Sequence, residues 1–534
     1  MKYSTATLTS AATSVTLTFS RKRTTKHAGL LAIRQFMQDY GIAKMLRSSI
    51  GLALPQNKYR TRFSPFALFS QRLFALFASR EDLNDHDDPA WREDGAVQAV
   101  LGEKLASCST LSRFESSVNQ DTITALNNAL LSLFIELHKD LRCIWLDADS
   151  TPVPLYGNQE GVAYNGHYKT NCYLPLTVFA NGVPVHVVNA PGTEDGRNLL
   201  EPIIDNIIKH LKMAYPQTPI IVRADAGFNR SSLISKLEKA NVYYIIGFGQ
   251  NKSINKIVDG KDFTPEVVYD GVREYDGAVF IRALGEINYQ AKSWKGARRV
   301  IVRDQAAPPL GENKNAIKSL ATKRHNSLIN KDLLGNNGRE EKYSQDSLFI
   351  DEPIDYELTR ANHNPPTINE DGAEFDVRYV VTNIPKQGIK GLHLPMEMNA
   401  QNIYENLYCQ RATICEDRIQ ELKSEAHASR ASASCFLTNW YRMLLSAIAD
   451  SIIYGVRRIL FSGFEDKGSW FNISLKRFQK ELINLPGSLI TEKRGILLEI
   501  NQALQHPEAL LIIFRAKYDA TKYQKPDRNK LVFY

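Results

Sequence analysis

Six cysteines in 534 residues, at 108, 143, 172, 409, 415 and 435, include no Cys-x-x-Cys pair. That scarcity argues against a zinc site and against a disulfide-stapled secreted scaffold. Long apolar runs are lacking too. The most apolar stretch, 435–460, is broken by Arg442, Asp450, Arg457 and Arg458, so it reads as an amphipathic or buried helix and not a membrane span. Residues 3–20 carry no charge but are rich in Ser and Thr, and the basic Arg21-Lys22-Arg23 follows them. That order is the reverse of a secretory signal, and a soluble, cytoplasmic protein is expected. Charge of one sign is also scarce: 66 Lys plus Arg against 58 Asp plus Glu leaves +8, so distribution matters more than the sum. With 43% hydrophobic and 23% charged residues, disordered, collagen-like and fibrous classes are excluded. The length suits about three or four domains of roughly 150 residues.

The charge is unevenly spread. Residues 1–70 hold eleven basic residues and one acid, Asp39, whereas 81–94 hold seven acids and one Arg. Apolar spacing predicts a short strand near Val15–Phe19 and helices over 28–50, 64–79 and 118–139. Ser109-Thr110-Leu111-Ser112 reads as a helix cap. A basic face on helices suits DNA phosphates; a solvated surface is the alternative reading. Region 1–139 is therefore a mainly helical, candidate DNA-binding region.

The middle of the chain is more informative. Ile144–Asp149 reads as a strand with Asp147 and Asp149 on one face. Two apolar runs, Cys172–Ala180 and Val183–Val188, flank Asn181-Gly182, a strong hairpin signal. A helix over 197–213, a strand at Ile220–Arg223, a helix over 230–239 and a strand over 242–248 follow. Three antiparallel strands followed by alternating helices and strands predict a mixed α/β sheet, in the order of a ribonuclease-H-like core. From 251 to 400 helical periodicity fades. Short strands appear at Ala278–Ala283, Arg298–Val302 and Val377–Thr382, with a polar stretch over 305–370 between the last two. Helices return over 402–426 and 434–461, and an α+β region over 463–534 ends in a basic segment, Lys517 to Lys530. The expected divisions are 1–139, a first core segment 140–250, a β-rich insertion 251–400, the core-completing helices 401–462, and 463–534.

Asp149 and Asp225 each end a strand, and the two strands should be neighbours. Paired strand-end carboxylates can hold hard Mg²⁺ or Mn²⁺, and a third carboxylate from a later helix would complete a two-metal site for phosphoryl transfer. A strand-end Asp also serves as a turn or cap residue. On the helix over 402–426, Glu416 and Lys423 fall within about 20° of each other, while Arg411 lies about 140° from Glu416. That pair reads either as a carboxylate and phosphate contact or as a solvated helix face.

In order, RLFALFASREDLNDHD (72–87), LASCSTLSRFE (105–115), LDADSTPVPLYGNQEGVAYNGHYKTNCYLPL (146–176), VRADAGF (222–228), SWKGARRV (293–300) and YCQRATICEDRIQELK (408–423) carry a family likeness. The sequence resembles bacterial insertion-sequence transposases of the DDE class, in particular the insertion-sequence family numbered thirteen-eighty, of the Tyr-Arg-Glu-Lys signature group. The resemblance spans about 30–460. It implies a ribonuclease-H-like catalytic domain with a β-rich insertion. Asp149, Asp225 and Glu416 would be the catalytic carboxylates, with Asp147 a supporting or alternative acid and Glu160 a further neighbour. It also implies DNA contacts from Tyr408, Arg411 and Lys423. Trp294, set among Lys292, Lys295, Arg298 and Arg299, reads as a base-stacking residue with basic neighbours or as an anchor of the β-rich insertion. The implied cofactor is two Mg²⁺ ions per site, with Mn²⁺ able to substitute. The implied partners are double-stranded DNA, both terminal inverted repeats and target, and a second copy of the chain on that DNA; no membrane and no small-molecule cofactor are expected. A nucleoid-associated bacterial location follows. Relatives usually place three residues between the signature Arg and Glu; here four intervene, and a π-bulge is one way to absorb the extra one. A DNA-binding descendant that no longer cuts, and a nuclease without strand transfer, are the competing readings.

Overall fold

The computed structural model describes residues 6–10, 13–17, 23–55, 62–139, 141–258, 263, 266–272, 279–307, 367–368, 374–389, 397–461, 473–492 and 495–500. Much of the polar 305–370 stretch, the basic Lys517–Lys530 segment, and Lys2, Arg21, Lys22, Lys58 and Arg60 lie outside the described residues. The chain forms two compact units, Leu130–Ser424 with Ser429–Met443, and Met1–Ala129 with Glu425–Ala428 and Leu444–Tyr534.

The first unit is built on one mixed sheet. Its strands are β1 (Ile144–Ser150), β2 (Leu176–Ala180), β3 (Val183–Val188), β4 (Ile220–Ala224), β5 (Tyr243–Phe248), β6 (Glu266–Val272), β7 (Val279–Tyr289), β8 (Arg298–Ala307) and β9 (Glu374–Thr382). The spatial order is β3-β2-β1-β4-β5-β9-β8-β7-β6, with Thr367–Ile368 paired to β9. Strands β1, β4 and β5 run parallel, and the remaining pairings are antiparallel. The strands after 266 thus extend the same sheet. The crossover helices α1 (Gly196–Ala214) and α2 (Ser231–Lys239) supply the long connections that parallel neighbours require. Both have one apolar face, as in Leu200, Ile204, Ile207, Ile208 and Leu211 of α1, all buried.

The β2–β3 hairpin turns at Asn181-Gly182, with φ of +47° and +78°, the left-handed pair that a two-residue turn demands. The apolar run expected to be one strand over Cys172–Ala180 is two. Pro175, which lacks an N–H, interrupts it, and Thr170–Tyr173 joins a separate three-stranded sheet with Val153–Pro154 and Ala163–Asn165.

In the second unit the predicted helix over 28–50 is two helices, Gly29–Asp39 and Ile42–Ile50, separated at Gly41 with φ +67°. Helices Pro65–Phe77, Gly95–Leu101 and Cys108–Glu115 follow. The strand Arg23–Thr25 pairs with Gly487–Glu492, which pairs with Gly495–Ile500, so the early and late parts of the sequence share one core. Gly29 permits this closeness, since a Cβ there would fall 1.8 Å from the Leu482 carbonyl oxygen. Among the described residues, no helix is long and apolar enough to cross a membrane.

Candidate active site

One face of the first unit's sheet changes character along its strands. Side chains alternate, so 145, 147 and 149 of β1 share a face, as do 221, 223 and 225 at β4. Trp145 and Ile221 are cross-strand partners in an apolar cluster that also contains Ile245, Ile301, Val380, Ile403, Tyr404 and Leu407. One step on, Asp147 and Arg223 are partners and form a fully buried ion pair, Nε to Oδ1 at 2.7 Å and Nη2 to Oδ2 at 2.8 Å. One step further stand Asp149 and Asp225. Both carboxylates of the expected pair therefore emerge at neighbouring strand ends.

Asp225 also does what a strand-end Asp commonly does. Its carboxylate accepts from the Gly227 amide at 2.8 Å and caps the short 3₁₀ turn Ala226–Phe228. Asp149 Oδ1 accepts from the Ser150 amide at 2.9 Å. Burial raises the Asp149 carboxyl to about 6; Arg411 opposes the rise, and the charges of Asp225 and Glu416 add to it. Asp149 thus senses both other predicted acids.

The third acid comes from the helix that covers this face. The segment runs as a π-helix over Asn402–Tyr408, an α-helix over Cys409–Gln420, here α3, and a second π turn over Glu421–Glu425. The extra residue of the signature is therefore not taken up between Arg411 and Glu416; the departures from α geometry flank that stretch. Arg411 turns toward the strand end instead, its Nη1 3.9 Å from Asp149 Oδ2 and its guanidinium 5.9 Å from the Tyr408 ring centre. Its side chain is 11% exposed, and among the described residues neither Nε nor Nη1 has a hydrogen-bond partner. Burial raises the Glu416 carboxyl, partly offset by Arg411. Lys423 Nζ donates to Thr151 Oγ1 at 3.1 Å and to the Pro152 carbonyl at 2.9 Å, just past the end of β1. Burial lowers its pKa while Asp149 works the other way. The Tyr408 hydroxyl fits beside the Asp225–Ala226 turn because residue 247 is Gly; a Cβ there would lie 2.8 Å from that oxygen and 2.5 Å from the Ala226 nitrogen.

An all-oxygen set of acids suits a hard divalent cation. Among the described residues, no three His, Cys, Asp or Glu side chains stand close enough to share one ion. The arrangement on offer is two strand-end acids and a helix acid within electrostatic reach, beside a buried cation.

Other sequence candidates are occupied elsewhere. Asp147 spends both oxygens on Arg223. Glu160 accepts from the Phe436 amide at 2.9 Å, at the start of helix α4 (Phe436–Phe461), where a carboxylate favours the helix dipole. Trp294 is 5% exposed and packs at 5.3 Å from Phe248 and 5.8 Å from Tyr289, a placement that matches the anchoring reading. Arg298 is bidentate to Glu238 at 2.7 and 2.9 Å. Arg299 binds Glu286 and the carbonyls of Ile384 and Met398. Sequence reasoning did not single out Tyr168, an exposed residue whose hydroxyl pKa is raised by partial desolvation and by Asp149 and Asp225. It sits on a turn where the Asn165 side chain accepts from the His167 and Tyr168 amides at 2.9 and 3.0 Å. The only sequence signal was its place in the segment between the two predicted acids.

No curated protein matches the chain. A cryo-EM structure of a piggyBac transposase synaptic complex with hairpin DNA aligns over 87% of this chain and 82% of that one, at 11% identity and a TM-score of 0.37. The family described as Transposase DDE domain group 1 matches residues 8–344 and 367–516. Covering most of the sequence, that match makes this chain a member of the DDE transposase family.

Proposed function

We propose that the chain is a metal-dependent transposase that cuts DNA at the terminal inverted repeats of a bacterial insertion sequence and joins the freed end to target DNA. The observation that carries this reading is Arg411. A buried guanidinium with two donors lacking acceptors, beside an acid pair, costs roughly 1–3 kcal/mol per unmet donor, and an anionic substrate would supply what is missing. The order β3-β2-β1-β4-β5 supports a ribonuclease-H-like core, and the family generally uses divalent metal ions.

In this reading Asp149, Asp225 and Glu416 hold the ions; burial first, and the charges of Asp225 and Glu416 after it, raise the Asp149 carboxyl, and bound cations would favour its ionised form. When bound, two Mg²⁺ or Mn²⁺ ions would activate the attacking oxygen and stabilise the leaving one of an in-line displacement. Arg411 donates to a phosphate oxygen, with Tyr408 against the Asp225 turn limiting where that phosphate sits. Lys423 fixes the chain leaving β1 and adds positive charge toward the substrate. Positioning and charge compensation then carry the transfer, with no covalent protein intermediate. The basic residues of the helical unit would bind DNA phosphates, and two copies of the chain would pair two ends.

The test is cleavage of end-containing DNA in Mg²⁺ or Mn²⁺ by the full chain and by Asp149→Ala. Loss of nicking with retained end binding is the expected result; unchanged cleavage would sink the site assignment. The spread of the acids beyond a single coordination sphere favours one second reading, a descendant that binds ends without cutting. Wild-type protein that shifts end DNA yet never nicks it in either metal would support that reading. Failure to join a pre-cleaved end to a plasmid, with nicking intact, would mark a nuclease.

A further inference from the structure

The Asp147–Arg223 pair has a third member. Arg223 Nη1 donates to the Leu407 carbonyl at 2.8 Å, and the guanidinium lies 4.5 Å over the Trp145 ring. Arg223 is fully buried and touches three elements at once: β1 through Asp147, its own strand β4, and the covering helix through Leu407. Each contact lies a short step from a predicted site residue. Asp147 is two positions before Asp149, Arg223 two before Asp225, and Leu407 one before Tyr408. The carbonyl it binds belongs to the π segment Asn402–Tyr408, and the α geometry of α3 resumes two residues later, at Cys409. A side-chain donor inserted at a helix carbonyl is one recognised cause of departure from the α ladder.

We infer that Arg223 is a positioning residue that sets the phase of the helix carrying Tyr408, Arg411 and Glu416 against the strand ends carrying Asp149 and Asp225. The inference rests on the metal-dependent reading of that site. Energetics point the same way. A buried ion pair contributes little net stability compared with apolar residues of similar volume, and its best-attested benefit is a fixed register. Here the apolar row below already supplies cohesion, through Trp145, Ile221, Ile245 and Leu407. What an apolar row lacks is direction. Arg223's planar fork specifies both the distance and the angle between β1, β4 and the helix. Turning the helix by one residue would swing its side chains by about 100°, carrying Glu416 and Arg411 away from Asp149.

The experiment compares the full chain with Asp147→Leu/Arg223→Met, which keeps bulk and removes both charges, and with Arg223→Lys, which keeps the charge but not the fork. Melting temperature, calorimetric Mn²⁺ affinity without DNA, and single-turnover cleavage of end DNA are measured for each. The double variant should melt within a few degrees of the parent, yet bind Mn²⁺ at least tenfold more weakly and cleave at least a hundredfold more slowly. Arg223→Lys should fold and show the same pattern at smaller size, so a double variant that fails to fold leaves the comparison intact. Mn²⁺ affinity and cleavage within twofold of the parent in a folded variant would overturn the role of Arg223. Asp225→Asn separates the two layers: if it binds Mn²⁺ as well as the parent, the metal reading falls and takes this inference with it.

Discussion

Two buried guanidiniums, one in each unit, are treated differently by the fold. Arg72, in the helical unit, gives Nε to Glu115 at 2.7 Å and Nη2 to the Glu81 carbonyl at 3.0 Å, with Nη1 3.1 Å from His86 Nε2. The Gln71 amide nitrogen lies 3.1 Å from the other His86 ring nitrogen, and Gln71 exchanges bonds with Ala106; a neutral imidazole accepts at one nitrogen only, so His86 takes a bond from Arg72 or from Gln71 but not from both. Arg411, in the sheet unit, is nearly as buried, yet two of its donors have no acceptor among the described residues. A buried polar network that is complete rigidifies; one that is incomplete stores an unmet demand. In the proposed function the first pattern would belong to architecture and the second to the place that receives substrate; Arg298 Nη1, also buried without an acceptor among the described residues, shows that an unmet donor alone does not mark such a place.

That contrast is open to direct challenge. The largest expected effect is on chemistry: Arg411→Met should slow single-turnover cleavage by roughly 10²–10⁴-fold, the worth of two hydrogen bonds to a charged group, while leaving the melting temperature unchanged or higher. Arg72→Met should do the opposite, costing about 3–5 kcal/mol in denaturant unfolding because it breaks a buried ion pair with Glu115. Equal stability losses in the two variants would erase the distinction. Trp294→Ala belongs with Arg72 on its packing, at a cost of about 3–5 kcal/mol; an effect seen only in DNA binding would restore a stacking role.

The two regions should also respond to pH with opposite signs. Burial and the nearby Arg72 push His86 down to about 3 from 6.5, so its contribution is present above pH 6.5 and is lost as pH falls toward 3. Asp149 is pushed up to about 6 from 3.8. Its ionisation therefore withdraws stability as pH rises from 3.8 through 6, by on the order of 1–3 kcal/mol. In metal-free buffer, Asp149→Asn should remove that loss and melt higher than the parent at pH 7. A lower melt at that pH would mean Asp149 is already compensated. Smallest of all is the effect of Lys44→Gln, at an exposed helix position. It should shift stability by less than about 0.5 kcal/mol while reducing the salt slope of end binding by about 1 if that face meets phosphates.

The parts of this protein that were readable in advance rest on local chemistry. Asn181-Gly182 announces its hairpin because the φ values it adopts are open to few residue pairs, and the apolar strands leading to Asp149 and Asp225 are bounded by their own alternation. Pro175 was the missed break in an otherwise convincing apolar run. The Ser109-Thr110 cue marked a helix that begins one residue earlier, at Cys108, with Ser107 as its N-cap. Burial was the harder quantity. Trp294, Arg298 and Arg299 look like a basic, aromatic surface on paper, and become interior only through Phe248, Glu238 and Glu286, partners that no local pattern reveals. Arg223 was invisible for the same reason, since its partners lie 76 and 184 residues away.

The pairing of Arg23–Thr25 with Gly487–Glu492 has a consequence for synthesis. The ribosome delivers every strand of the large sheet between these two partners, so that sheet has all its pieces while the early strand is still waiting for its neighbour. A product interrupted after the large sheet's last described strand, Glu374–Thr382, and before Gly487 would hold every described strand of that sheet while Arg23–Thr25 still lacked its neighbour.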